Sequence, residues 1–398
     1  MRLISMIILY CVAVGIALAI LYGPLRRSID PQKQHPGRAA VIVLLLAGLL
    51  SFPLIGALVP DGPVCWFFQK WGNVFIGYVL YFFSPLIIIW IITLFVRMIH
   101  RIRHHEKWNP PRWLSAGVLI CLLALTIGLN VWGGQVAHDV KVTKYTIDKS
   151  ILGQTEPLRI VLIGDLHIGV NSTPQIYRDM VDRINEQKPD VILVAGDIVT
   201  SSYGAMSDPD LYAGILSQMK ATKGKFVVYG NHDVDEPLLG GFTYAGADNA
   251  LRNPDMPGFI KACDWTLLTD EVIRLDELNG LYLAGRRDES RPGDGVKERA
   301  SLEKLLEGTD PSEPIMLLQH EPADLEELSD YGIDFSLSGH THDGQIFPGN
   351  VYGRIKGPQS YGMKQWDSSL AEVTSGVGFY GPPIRVGTIS EIVVIDAQ

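Results

Sequence analysis

An α/β body with strands buried on both faces, preceded by four membrane-crossing helices, is the fold this sequence predicts. Three observations carry the expectation. Charge-free apolar runs are confined to the first third, short apolar strands alternate with helical stretches in the remainder, and the charge changes sign between the two parts.

The apolar runs are residues 3–22, 39–59, 72–96 and 114–132, and none contains Asp, Glu, Lys, Arg or His. A helix needs about 20 apolar residues to cross the hydrocarbon layer, which each run supplies. The first run lacks a small-residue cleavage site before Pro24, and three more follow, which favours a span over a signal peptide. Arg26, Arg27, Lys33 and Arg38 follow the first run; Arg97, Arg101, Arg103, Lys107 and Arg112 separate the third from the fourth. The connection at residues 60–71 sets only Lys70 against Asp61. Positive loops stay cytoplasmic, so both chain ends, and the whole carboxy-terminal body, are expected outside the cytoplasm of a multi-pass cell-membrane protein. Trp66, Trp71, Trp108, Trp113 and Trp132 lie near run ends, as interfacial anchors do. Without the ionisable groups a transport path uses, the runs are expected to anchor the chain in the bilayer.

Up to His138, eleven Lys/Arg face three Asp/Glu; from Asp139 onward, 23 face 40. An acidic body repels nucleic-acid phosphates, so no nucleic acid is expected as a partner. Four cysteines, three of them in or beside apolar runs, make no disulfide framework. The chain therefore divides into a membrane segment at 1–133, a linker with a first strand at 134–157, and a body at 158–398. Within the body, strands are expected at 159–163, 191–195, 226–229, 281–284, 315–318, 335–337 and 391–395. Helices are expected at 174–186, 210–220, 296–306 and 323–328.

Five polar segments follow strands directly: Gly164-Asp165-Leu166-His167, Gly196-Asp197, Gly230-Asn231-His232-Asp233, Gln319-His320 and Gly339-His340-Thr341-His342. The carboxyl ends of strands are where α/β sheets bind ligands, and a glycine lets the chain turn sharply there. All five histidines beyond His138 fall in these segments. A lone Asp-x-His or Asn-His-Asp is a common surface pair or turn; five such segments in order are not.

Together the segments resemble the signature of the calcineurin-like metallophosphoesterases. The tail, Thr374-Ser375-Gly376 through Pro383-Ile384-Arg385-Val386-Gly387 to Glu391-Ile392, resembles the membrane-associated, multipass branch of that family. The resemblance runs over about residues 141–396 and implies a four-layer α/β/β/α sandwich. It implies two divalent metal ions (Mn²⁺, Fe or Zn²⁺), with Asp197 bridging them. Asp165, His167 and His342 would complete one site, and Asn231, His320 and His340 the other. Imidazole, carboxylate and amide ligands suit those metals better than a thiolate or all-oxygen site would. The implied reaction is hydrolysis of a phosphoester by in-line attack of a metal-bridging hydroxide, with His232 protonating the leaving oxygen.

Two positions depart from the family pattern. Thr200 stands where many members carry an acidic residue that orients the acid histidine, which leaves Asp233 or the substrate to compensate. Asp343 follows the last tetrad where glycine is frequent, and its carboxylate would either oppose phosphate or face solvent. Because a tether raises the local concentration of membrane substrates, a phosphodiester or lipid-linked phosphate is the expected substrate. The alternatives are a phosphomonoesterase or pyrophosphatase for soluble substrates, and a non-catalytic membrane receptor that retains the fold. Residues 240–258, with Phe242, Tyr244 and Phe259, offer a lid, a lipid-contacting loop or an ordinary surface loop. Arg286, Arg287 and Arg291 offer a phosphate clamp or a basic turn, and Arg385 a structural role. Residues 349–366, with Tyr352, Tyr361 and Trp366, offer a cleft wall or a cover for the sheet edge.

Overall fold

The computed structural model describes residues 2–30, 32, 34–35, 37–104, 108–200, 204, 206–243, 254–357 and 359–398. The chain forms two compact units. One holds the chain up to Gly133, together with the hairpin of Leu238–Leu239 and Phe242–Thr243 and the stretch Gly381–Pro383; the other holds the remainder.

In the first unit, four helices are long and apolar enough to cross a membrane: Ile4–Ile29, Gly37–Leu58, Pro63–Arg103 and Arg112–His138. The second is broken between Leu50 and Phe52, where Pro53 cannot donate a helical hydrogen bond. The third is much longer than its apolar run, because residues expected in both flanking loops continue the helix. Ala17, Leu18, Leu21, Phe83, Leu86 and Leu122 pack a narrow core, while Leu44, Ile92 and Ile120 face outward. An outward face of that kind is what lipid, not water, covers. Buried Asn130 donates to the Thr126 carbonyl one turn earlier, so the helix satisfies its own polar group. All four cysteines are free.

The second unit is the expected sandwich. Its first sheet runs in the order Lys141–Ile147, Glu391–Ala397, Leu158–Ile163, Val191–Val194, Gly224–Val227, Thr266–Leu267. Its second runs Gly362–Trp366, Ser369–Val373, Phe335–Ser338, Ile315–Leu318, Leu281–Gly285, Glu271–Leu275. The central strands are parallel and covered on both faces, which explains their unbroken apolar sequence. Alternation sorts their side chains into layers. Val161 and Ile163 join the core under the helices Pro174–Gln187, Pro209–Leu216 and Met256–Ala262, whereas Ile160 and Leu162 join the core between the sheets. Leu317 and Ile315 of the second sheet pack outward against Leu302, Leu305 and Leu328. The helix Pro174–Gln187 starts with proline, whose fixed φ suits the first turn, and buries Ile176, Tyr177, Met180, Val181 and Ile184 as one stripe.

Local readings failed where tertiary contacts took over the backbone. The helix expected at 296–306 shrinks to Leu302–Leu305, because Asp270 accepts the Ala300 N–H and Arg286 donates to the Ala300 carbonyl. The helix expected at 210–220 ends at Leu216. Residues 349–366 become the helix Gly349–Lys356 and an edge strand, with Tyr352 and Trp366 exposed. At the 240–258 insertion, Phe242 is exposed and Phe259, just past its end, is buried; Tyr244 and its neighbours to residue 253 lie outside the described residues.

Candidate metal centre

Each polar segment leaves the carboxyl end of a central strand, so both sheets deliver side chains to one edge of the sandwich. Five of the seven prospective ligands take left-handed backbone: Asp165 (φ 51°), His167 (45°), Asp197 (52°), His340 (70°) and His342 (52°). Such non-glycine conformations cost about 1–3 kcal/mol each and persist where the surroundings over-determine them. Here they are fixed by main-chain bonds across strand ends: Asp165 N–H donates to Gly196 O at 3.0 Å and His167 N–H to Asp197 O at 2.9 Å. The glycines serve different ends. Gly196 has φ 78°, whereas Gly230 and Gly339 leave room for carboxylates, since a Cβ there would overlap Asp197 and Asp165 respectively.

The seven side chains meet in two groups. In the first, His167 Nε2 and His342 Nε2 are 3.0 Å apart, and Asp165 Oδ1 lies 3.3 Å from His342 Nε2. In the second, Asn231 Oδ1 lies 3.0 Å from both His320 Nε2 and His340 Nδ1. Asp197 Oδ2 reaches both groups, 3.5 Å from His167 Nε2 and 3.2 Å from His320 Nε2. His320 Nδ1 donates to the Ala195 carbonyl at 2.7 Å, so Nε2 is the nitrogen turned toward the carboxylate and amide oxygens. Burial opposes a proton there, but the neighbouring Asp197 charge favours it, and that proton must leave for a cation to bind. Lone pairs crowded in this way repel one another unless cations lie among them. The donor set therefore fits two borderline divalent metals, with Asp197 shared.

Burial tunes the same groups. It holds His167 down to about 3 and His340 down to about 4, keeping both imidazoles neutral, the form that ligates metal. Burial, with the Asp197 charge alongside, pushes Asp165 and Asp233 up to about 7. A carboxyl raised by folding favours the folded state while protonated, so its contribution is full below about pH 4 and is lost as pH climbs through the folded value. The depressed histidines carry the opposite sign, since neutral imidazoles gain stability as pH rises through their unfolded value, so the two sets offset between about pH 5 and pH 7.5. With metals chelated, Asp233→Asn, which removes one falling contribution, should make the thermal midpoint rise more steeply with pH than in wild type. An unchanged slope in that variant would refute the burial argument.

The expectation for Asp233 is corrected. Its Oδ1 accepts the Ile198 and Val199 N–H groups at 2.8 and 3.1 Å, and its Oδ2 accepts Gly230 N–H at 2.8 Å; it ties two ligand loops together. The carboxylate at His232 is Glu236, whose Oε1 lies 2.9 Å from His232 Nδ1. Sequence reasoning passed over Glu236, although its spacing four residues from the histidine was a signal. It also missed Tyr380, whose ring stacks on His232 with centroids 4.4 Å apart and which no local pattern marks. Thr200 Oγ1 donates to the His167 carbonyl. Asp343 neither opposes phosphate nor faces solvent, because Arg354 holds it through two bonds of 3.0 and 2.7 Å. The three arginines are already engaged: Arg286 with the Ala300 carbonyl, Arg287 with the Pro292 carbonyl and Asp294, and Arg291 with Asn231 and Glu236.

Comparison with known proteins places these observations in context. Residues 158–344 match the family described as calcineurin-like phosphoesterase. A metallophosphoesterase of Helicobacter pylori strain J99 is 29% identical over 70% of this chain and 69% of its own length. One from Aquifex aeolicus is 29% identical over 68% of this chain and 97% of its own. The Danio rerio transmembrane protein with metallophosphoesterase domain is 30% identical over 64% of this chain and 55% of its own.

Proposed function

Since this chain carries a calcineurin-like metallophosphoesterase domain and is a hydrolase of phosphoester bonds, we propose that it is a membrane-anchored dinuclear enzyme for phosphodiester or lipid-linked phosphate substrates. The observation that carries the dinuclear reading is Asp197 Oδ2, which lies within 3.5 Å of a histidine from each group. Two divalent cations held there would draw charge from phosphoryl oxygens and supply an acidified water as nucleophile. Asp165, His167 and His342 hold one side of the site; Asn231, His320 and His340 hold the other. Asp197 also accepts the His232 N–H at 2.8 Å, which sets the acid histidine beside the shared carboxylate. His232 gives a proton to the leaving oxygen, an act worth about 10²–10⁴-fold in rate.

Four apolar helices support the anchoring role and favour substrates of the bilayer, since a tethered site meets them at high effective concentration. The purified full-length chain in detergent, loaded with Mn²⁺, should hydrolyse aromatic phosphodiesters and release phosphate-bearing headgroups from phospholipid. Two bound metals with no turnover of any phosphoester would replace this reading with a receptor. The loop charges favour an orientation with both ends of the chain outside the cytoplasm. A carboxy-terminal reporter active only outside the cytoplasm should therefore be active, and a well-expressed but silent fusion would reverse the topology.

A further inference from the structure

The acid histidine sits in a cage that no motif in the sequence announces. On one face Tyr380 stacks on its ring at 28°. The Tyr380 main chain is pinned in turn: its N–H donates to Gln345 Oε1 at 2.8 Å, and Gln345 Nε2 donates to its carbonyl at 3.0 Å. At the ring edge, Nδ1 meets Glu236 Oε1 at 2.9 Å. The Glu236 side chain is fully buried, and a carboxylate so placed demands a counter-charge. Arg291 provides it: Nη1 lies 2.9 Å from Oε1 and 2.8 Å from Oε2, and also donates to the Asn231 carbonyl at 3.1 Å. One guanidinium, from a loop some sixty residues away, thus holds both the ligand loop and the carboxylate on the histidine.

We propose that Glu236, braced by Arg291, is the positioning residue for His232 and takes over the orienting task that falls elsewhere in the family to the position of Thr200. Neither other nearby group can do so. The Thr200 hydroxyl is committed to the His167 carbonyl, and both Asp233 oxygens are committed to main-chain N–H groups. The inference rests on His232 being the proton donor. A carboxylate on Nδ1 fixes that nitrogen as N–H and leaves Nε2 to carry the exchangeable proton; an amide there can impose the wrong tautomer. Glu236 therefore governs which esters the site can cleave. A poor leaving group needs its oxygen protonated, whereas 4-nitrophenolate departs without help.

The test compares Glu236→Gln, Glu236→Asp and Arg291→Met in the full-length chain on an alkyl phosphodiester and on bis(4-nitrophenyl) phosphate, with metal content measured alongside. In Glu236→Gln, alkyl ester turnover should fall about 100-fold and nitrophenyl ester turnover less than about fivefold. Bound metal should match wild type. Arg291→Met should show the same split more weakly, and Glu236→Asp should recover part of the loss. His232→Ala should reproduce the split, and the Glu236→Gln/His232→Ala pair should be no worse than His232→Ala alone. Equal losses on both esters, loss of metal in Glu236→Gln, or additive losses in the pair would overturn the inference while leaving the hydrolase reading intact. Wild type that binds two metals yet cleaves neither ester would remove that reading, and this inference with it.

Discussion

Asp197→Asn should leave the protein folded and strip it of both metals and of turnover. The substitution keeps the size of the side chain and an oxygen for the His232 N–H, so the loop it caps has no reason to open. What disappears is the anionic oxygen reached by His167 at 3.5 Å and His320 at 3.2 Å. No other side chain among the described residues faces both groups at those distances. Two cations close together repel, and a shared anion is what lets them coexist. Turnover should fall by more than about 10³-fold, the scale on which a single electrostatic stabiliser of the transition state acts. Elemental analysis should show less metal at both positions, with the circular-dichroism spectrum in chelator unchanged. Retention of one full equivalent with near-normal turnover would defeat the shared-ligand argument.

The second large effect is expected at Arg385, which is fully buried. Burial draws its pKa down to about 10, so it remains charged. Its Nη2 donates to the carbonyls of Ser375, Gly376 and Gly378, and its Nη1 to that of Ile389. The stretch it gathers then holds the Asp165 loop, with Val377 N–H donating to Gly164 O and Gly378 N–H to Asp165 O. Nη2 also lies 3.4 Å from His342 Nδ1, behind a prospective ligand. Arg385→Ala leaves the Ser375 and Gly378 carbonyls without their donor and takes one of two donors from those of Gly376 and Ile389. It should cost about 3–5 kcal/mol, since each buried group left unpaired costs about 1–3. Metal affinity should weaken by about 10–100-fold where the supporting shell of a ligand is lost. Arg385→Lys should recover little, because an ammonium cannot span that fork of acceptors. Thermal denaturation and metal titration of both variants give the check, and a Lys variant as stable as wild type would rule out the fork geometry.

The interior of the sandwich could be read from the chain because parallel strands such as Val191–Val194 and Ile315–Leu318 are covered on both faces and must be apolar throughout. Its margins could not. Glu271–Leu275 and Gly362–Trp366 are edge strands with exposed side chains, and their mixed sequences carry no period that marks them as β. The prospective ligands were visible because each stands one turn past a strand, in residue types that chemistry restricts. What holds them was hidden. Tyr380 reaches His232 from more than a hundred residues away, and Arg354 reaches Asp343 only because the intervening turn brings a new helix alongside. Contacts of that kind are set by packing between elements, and a local pattern contains no trace of them.

The handedness of the ligand loops also limits how this enzyme could fall silent over evolutionary time. Aspartate and asparagine tolerate a left-handed backbone far better than valine or isoleucine. An inactive descendant that still folded would therefore carry asparagine or glycine where Asp165, Asp197 and the histidines of the last tetrad now stand. A branched aliphatic at any of those places would mark a product that had given up stability along with its chemistry.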